Sequence, residues 1–414
     1  MTTPIATPVN PTRVSSVDAF RGLVMLLMMD SALQIGRIAS AYFPDSTVWT
    51  TLAFHTDHVA WTGCSLHDLI QPSFSFLVGV SLPFSIANRE QKGQGFFRMF
   101  GHAIFRGLLL MFLGIFLRSI GAPATNWTFM DTLTQIGMGY VILFLLAYTR
   151  RQVMLWIAFV VIVVGYWGAF AMHELPPEDF DYAKVNVKPG DPGKMEGFFA
   201  HWNKNANLAA EVDLLILNQF PRKKLDKGRV VDNPFTHERS GYTTLNFIPT
   251  LATMILGVIA GMWLRLDVSQ GLKFTMLVVA ALAGIGLGEA CEYFGICPIV
   301  KIIWTPAWVL YSGGWAFAFL AFFYLVNDII GFWHWSYPLL VIGANSIVAY
   351  IAYHTLRPFI ISSYKTHFGP DVFKFLDERY DTVKWEPMVQ GAFVLLTLWL
   401  MLLWMYRNKY FVRI

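Results

Sequence analysis

Ten stretches of mostly apolar residues run through this 414-residue chain, and they constrain its fold more than any other feature. They lie at roughly 17–37, 67–88, 101–120, 130–148, 152–172, 244–264, 273–290, 306–327, 337–357 and 389–408. A helix of about 20 residues crosses the apolar layer of a bilayer, and these runs have about that length. They are continuous, not alternating ten-residue segments, so they predict helices and not a barrel. Composition agrees: 55% of residues are hydrophobic and 14% charged, against about a quarter charged in soluble domains. The expectation is an all-α, polytopic transmembrane bundle of about ten spans. A tail over 1–16 precedes one membrane domain over 17–414, with a hydrophilic insertion at about 173–243.

Lys and Arg near the helix ends set the orientation. With the N-terminus inside, the inner loops hold Arg13; Arg89, Lys92 and Arg98; Arg150 and Arg151; Arg265 and Lys273; and Arg407, Lys409 and Arg413. The short outer loops hold far fewer, chiefly Arg37, Arg118 and Lys301. Both termini are therefore expected in the cytoplasm and the chain in the cell's inner (plasma) membrane. The N-terminal stretch lacks a basic region followed by an apolar core and a small-residue cleavage site, so the first apolar segment is expected to remain as a helix. A net charge of +4 in short clusters fits a membrane-side bias and not nucleic-acid binding. Cys64, Cys291 and Cys297 have no paired spacing, so neither a disulfide framework nor a zinc site is expected.

The chemistry concentrates between Phe54 and Gly79. His55, Asp57, His58, Trp61, Cys64, His67 and Asp68 fall within it, at the outer edge of the second span. Ionisable groups at a bilayer boundary are costly, so function is their default reading. His58 is the best candidate base, because its pKa lies near neutrality and neighbouring carboxylates could orient its ring. Asp68 is a candidate for the site or for a helix N-cap. Asp30, late in the first span, needs a partner. Lys301 and Trp304 open the eighth span and could be a snorkelling lysine and part of an aromatic belt. Gln135 and Asn345 are span amides that must find hydrogen bonds, in the site or between helices. The 173–243 insertion contains a short amphipathic helix flanked by loop, and reads as a lid, an acceptor-binding element or a connector. No metal is expected, for want of a fixed ligand spacing.

Taken together, several segments resemble the heparan-alpha-glucosaminide N-acetyltransferase family of transmembrane acyltransferases. RVSSVDAFRG is similar to its S-L/V-D-x-F-R-G start, and HVAWTGCSLHDLIQPSF to its H-x-x-W-x-G and D-L-x-x-P-x-F motifs. TLTQIGMGY, FIPTLATMILGVIAG, KIIWTPAWVLYSGG and GANSIVAY resemble further family segments, so the likeness covers nearly all ten spans. It implies that His58 is catalytic and that Asp30, where the family carries Asn, assists it. It implies substrate- or cofactor-binding roles for Trp61, Asp68, Lys301, Trp304, Asn345 and Gln135. It also implies acetyl-CoA as co-substrate, an amino-sugar or glycan acceptor at the outer face, and a possible homodimer. His58 would act as general base or as an acyl relay. Inner residues Arg89, Arg98, Arg106, Arg150 and Arg151 could attract nucleotide phosphates. The alternative is a transporter of amino sugars, for which no internal repeat of broken helices is visible.

Overall fold

The computed structural model describes residues 15–377 and 383–412. The N-terminal tail through residue 14, with Arg13, and the terminal Arg413 lie outside the described residues. The rest is mostly helical. In chain order come α1 (Ser15–Met29), α2 (Ile35–Tyr42), α3 (Thr47–His55), α4 (Ile70–Gln91), α5 (Phe96–Ser119), α6 (Thr132–Tyr148) and α7 (Gln152–Ala171). They are followed by α8 (Leu208–Leu217), α9 (Phe247–Leu264), α10 (Gln270–Tyr293), α11 (Pro306–Phe323), α12 (Tyr337–Ala344), α13 (Ser346–Phe368) and α14 (Glu386–Arg407). Among the described residues, seven helices are long and apolar enough to cross a membrane, and nine if each of two bent pairs counts as one span. α6 is apolar but has only 17 residues.

The bends account for two of the expected spans. α1 runs into a 3-10 turn at Asp30–Leu33, and Gln34 adopts φ +51° before α2 departs at 43°. The left-handed residue ends the first helix, so Asp30 lies at a break and not in an uninterrupted span. α12 and α13 meet at 69° about Asn345. α13 then continues to Phe368, beyond the expected end of the ninth span at 357. Polar residues such as His354, Arg357 and Lys365 lower its hydropathy without ending the helix.

The packing has a clear centre. In the most apolar window of α9, 78% of residues are buried, against 17% in α10 and 22% in α7. α9 is thus a core helix, while α7 and α10 present apolar side chains outward, as lipid-facing helices do. α4 lies directly against α9. A methyl group at Gly257 would collide with the Phe76 carbonyl, and one at Gly79 with the Met254 carbonyl. Small residues let two backbones approach this closely in a membrane, where close packing replaces the hydrophobic effect. Glycine contacts of the same kind join α1 to α12 at Gly22 and Gly343, and α10 to α11 at Gly284 and Gly314.

The 173–243 insertion is more ordered than loop chemistry implies. α8 forms within the expected amphipathic stretch, capped by the Asn207 side chain on the Ala210 amide. Trp202 is fully buried and stacks on Phe170 of α7. The segment after it, read from sequence as loop, instead contains a hairpin of β1 (Lys223–Asp226) and β2 (Arg229–Asp232). Lys227 and Gly228 both have positive φ, the geometry of a tight two-residue turn that matches strand twist. The strands are short and mostly exposed, so they lack the alternating apolar signal that reveals a strand in sequence. The expectation of a mostly helical bundle stands, with this two-stranded hairpin as the one sheet among the described residues.

Candidate functional site

The loop between α3 and α4 carries His58, and a second short segment holds it in place. Thr62 pairs with Val300 as an antiparallel bridge, and the Gly63 amide donates to the Ile299 carbonyl at 3.1 Å. Gly63 has φ +99°, which a side chain would disfavour. This contact fixes the His58 loop against the turn that bears Lys301. That turn is itself strained: Trp304 has φ +50° and is fully buried, with its indole N–H donating to Thr253 Oγ1 at 3.3 Å. A bulky residue in the left-handed region persists only where its surroundings hold it.

Asp68 organises the two segments. Its side chain is 1% exposed. Oδ2 accepts from the Val59 amide at 3.2 Å, the Ser65 amide at 3.0 Å and the Ser65 hydroxyl at 3.0 Å. Oδ1 lies 2.8 Å from His58 Nδ1 and 3.2 Å from Lys301 Nζ. Asp68 therefore does not cap α4; its oxygens point back to the loop, and the Ser65 hydroxyl accepts from the Asp68 amide.

Proton positions follow from the partners. An ionised carboxylate only accepts, so the hydrogen on Asp68's imidazole partner sits on His58 Nδ1. Lys301 Nζ also approaches that Nδ1, at 3.0 Å, but its hydrogen goes to the carboxylate for the same reason. His58 Nε2 is left with a free lone pair. Burial, opposed by the Asp68 hydrogen bond and reinforced by the Lys301 charge, holds the His58 pKa below its ordinary 6.5. His58 is therefore a neutral imidazole at neutral pH, oriented by a carboxylate, with Nε2 available to take a proton or attack a carbon.

Both His58 and Lys301 line a cavity of about 260 Å³. Its walls come from several elements: Met25 and Met28 of α1, His67 before α4, Gln71 and Phe74 of α4, and Arg118 at the end of α5. Asp131 and Thr132 at the start of α6, Tyr242 from the end of the insertion, and Tyr350 and His354 of α13 complete it. Tyr242 also places its ring 5.8 Å from Lys301 Nζ. The insertion thus supplies one wall of the cavity and is not only a connector.

The other expected residues are distributed around this centre. Asp30 Oδ1 stands 3.6 Å from His67 Nδ1, so its nearest imidazole is His67 and not His58. Gln135 lies one shell behind the cavity: its carbonyl oxygen accepts from Gln71 Nε2 at 2.9 Å and Thr250 Oγ1 at 3.1 Å. Trp61 is 1% exposed and packs against Gly241. Trp304 supports the Lys301 turn from within the core. Asn345 does not reach the cavity. Its amide donates to the Tyr410 carbonyl at 3.0 Å and accepts from the Val412 amide at 3.0 Å, tying the C-terminal segment to the α12–α13 break. His55 takes a hydrogen bond from the Leu66 amide and is otherwise exposed.

Asp131, Tyr242 and His354 were not singled out by sequence; Arg118 entered only as an outer-loop charge and Tyr350 only as the last residue of GANSIVAY. A further signal was the spacing of Tyr350 and His354, four residues apart on one helix face, an arrangement that puts both side chains on the same surface. Among the described residues, no group of three or more His, Cys, Asp or Glu is placed to hold a metal ion. Of the basic residues expected on the inner side, Arg106 donates to the Tyr140 hydroxyl, Arg89 contacts His102, and Arg150 pairs with Glu90.

Comparison with known proteins bears on the whole chain. It is 24% identical to human heparan-alpha-glucosaminide N-acetyltransferase over 439 residues, covering 98% of the chain. It is 23% identical to the mouse enzyme of the same name, covering 97%. The chain is similar to the heparan-alpha-glucosaminide N-acetyltransferases. The chain spans 60% of the length of each of these curated relatives. No family model matches it. The similarity to heparan-alpha-glucosaminide N-acetyltransferase extends through the His58 loop, the Lys301 turn and every element that lines the cavity, because it runs over nearly the full chain.

Proposed function

We propose that this chain is a membrane acetyltransferase that moves an acetyl group from cytosolic acetyl-CoA to an amino-sugar or glycan acceptor at the outer face. The observation that carries this reading is the His58–Asp68–Lys301 arrangement beside a cavity of about 260 Å³, in a chain similar along its length to named N-acetyltransferases. The chain crosses the membrane ten times in this proposal. Seven long helices, two bent pairs and α6 supply the spans; 17 residues of helix measure about 26 Å, enough where the bilayer is thin. Both termini face the cytoplasm, and the His58 loop faces out. The inner membrane of the cell is the site of action.

His58 Nε2 takes a proton from the acceptor amine as its nitrogen attacks the acetyl carbonyl carbon. Asp68 keeps the ring in the reactive tautomer. Lys301 discourages premature protonation of His58 and offers positive charge to the oxyanion that develops on the carbonyl oxygen. Gln135 fixes Gln71 in the wall, Trp61 and Trp304 hold the two loops, and Asp30 acts through His67. In the relay form, Nε2 itself would carry the acetyl group; acetyl-His58 trapped by rapid quenching without acceptor would establish it.

The test is transfer by the purified full chain in proteoliposomes. Labelled acetyl-CoA is supplied with glucosamine and a panel of amino-sugar glycans. N-acetylated product on at least one acceptor is expected. Release of no product from any acceptor, with uptake of unmodified amino sugar instead, would overturn acetyl transfer in favour of transport.

A further inference from the structure

We propose that His67, held by Asp30, is a second acid–base residue of the same site. The proposal rests on the acetyl-transfer reading above. Asp30 sits where α1 ends, and its Oδ1 faces His67 Nδ1 at 3.6 Å. Both atoms are buried, and neither has a hydrogen-bond partner. Buried polar groups are nearly always satisfied, and an orphaned carboxylate oxygen facing an orphaned ring nitrogen marks an incomplete pair. A proton on His67 Nδ1 completes it. The His67 ring meets the His58 ring edge-on, with centroids 4.6 Å apart, and both line the one cavity.

The two imidazoles face opposite electrostatics. The charged or titratable groups against His58 are Asp68, Lys301 and His67. The Asp68 carboxylate is shared with Lys301, whose fixed charge opposes an imidazolium on His58. The carboxylate facing His67 has no Lys or Arg within 4.0 Å among the described residues. A proton collected by His58 therefore passes to the neighbouring ring.

The step balances as follows. The acceptor nitrogen forms a bond to the acetyl carbonyl carbon. The carbon–sulfur bond of acetyl-CoA breaks, and its electron pair stays on sulfur. The amine proton goes to His58 Nε2, and His67, which enters the step as an imidazolium with its Nδ1 proton toward Asp30, gives its Nε2 proton to the departing thiolate to make CoA thiol. His58 then hands its proton to His67, which restores the starting state.

The experiment measures acetyl transfer from acetyl-CoA to the acceptor by full-length His67→Ala, His67→Gln and Asp30→Asn, with thermal melts to confirm folding. Both His67 variants are expected to lose about 100-fold in kcat. Their KM for acetyl-CoA should stay within twofold of the parent. Added imidazole should restore His67→Ala at least tenfold, through the space the side chain vacates, and should not restore His67→Gln. Asp30→Asn should fall between. A kcat within twofold of the parent for both His67 variants overturns the proposal while leaving acetyl transfer intact. So does a folded but inactive His67→Ala that imidazole does not restore, since that marks a packing role. Absence of transfer by the parent chain overturns the acetyl-transfer reading itself, and this proposal with it.

Discussion

Asp68 Oδ1 accepts from both His58 Nδ1 and Lys301 Nζ, at 2.8 Å and 3.2 Å, from a position almost sealed from solvent. One carboxylate oxygen thereby sets the tautomer of a candidate base and neutralises a buried cation. The other three bonds of the side chain close the loop that carries the base. Site chemistry and loop structure depend on the same residue.

Asp68→Asn should therefore be costly on both counts. It removes the charge that compensates Lys301, whose side chain is 4% exposed. Breaking a buried ion pair by losing one partner costs about 3–5 kcal/mol. Thermal melts in detergent should drop by several degrees, and acetyl transfer should fall along with them. Asp68→Asn with parental melting and parental activity would mean that the pair contributes nothing.

Lys301→Met should move the pH dependence. The Lys301 charge is one of the causes that hold His58 below 6.5, so its removal raises the His58 pKa. The base is active in its neutral form, which is present above that pKa. The acid-side half-point of kcat/KM should lie below about 6.5 in the parent and shift to higher pH in the variant. A shift to lower pH, or none, would show that another group controls this limb.

The α4–α9 contact is testable with a single methyl. Gly257→Ala places a Cβ into the Phe76 carbonyl, whereas Gly286→Ala on α10 meets nothing within 4 Å. The first should lower the yield of monodisperse protein by size-exclusion chromatography, and the second should leave it unchanged. Equal behaviour of the two would contradict the central packing of α9.

Asp213 in the insertion is buried and accepts from the Thr244 amide with both oxygens, at 3.0 Å and 3.1 Å. Burial, the largest cause, pushes its pKa up from 3.8 to about 6. A carboxyl group with a raised folded-state pKa binds protons more tightly when folded, so stability falls as pH rises through that window. It is lowest, by roughly 3 kcal/mol, once both states are ionised above pH 6. Melting temperature should thus rise on acidification from pH 8 to pH 5. Asp213→Asn should flatten that slope and be the more stable form at pH 8. A parental slope in the variant would remove Asp213 as its cause.

Helix content and the His58 loop were legible because each rests on a strong local signal. Long apolar runs mark the helices, and a cluster of ionisable residues at a span boundary marks the loop. The rest depends on chain geometry. The break at Gln34 is a single left-handed residue without a glycine to announce it. The hairpin at Lys223–Asp232 is exposed and carries no alternating pattern. The Asp68–Lys301 pair joins residues 233 positions apart, and their meeting depends on the Thr62–Val300 bridge. Asn345, read from sequence as an amide of the site or a bond between helices, anchors the C-terminal segment, a partner that no local pattern specifies. Asp30 could be assigned to the site region but not to His67, because that pairing follows from where α1 breaks.

The central claim is that His58 carries the chemistry. Its most direct measurement is acetyl transfer by His58→Ala in proteoliposomes, with labelled acetyl-CoA on the cytoplasmic side and acceptor on the other. Loss of a general base is expected to reduce kcat by about 100- to 10,000-fold, with the variant still folded and still binding acetyl-CoA. Transfer by His58→Ala at the parental rate would contradict the account.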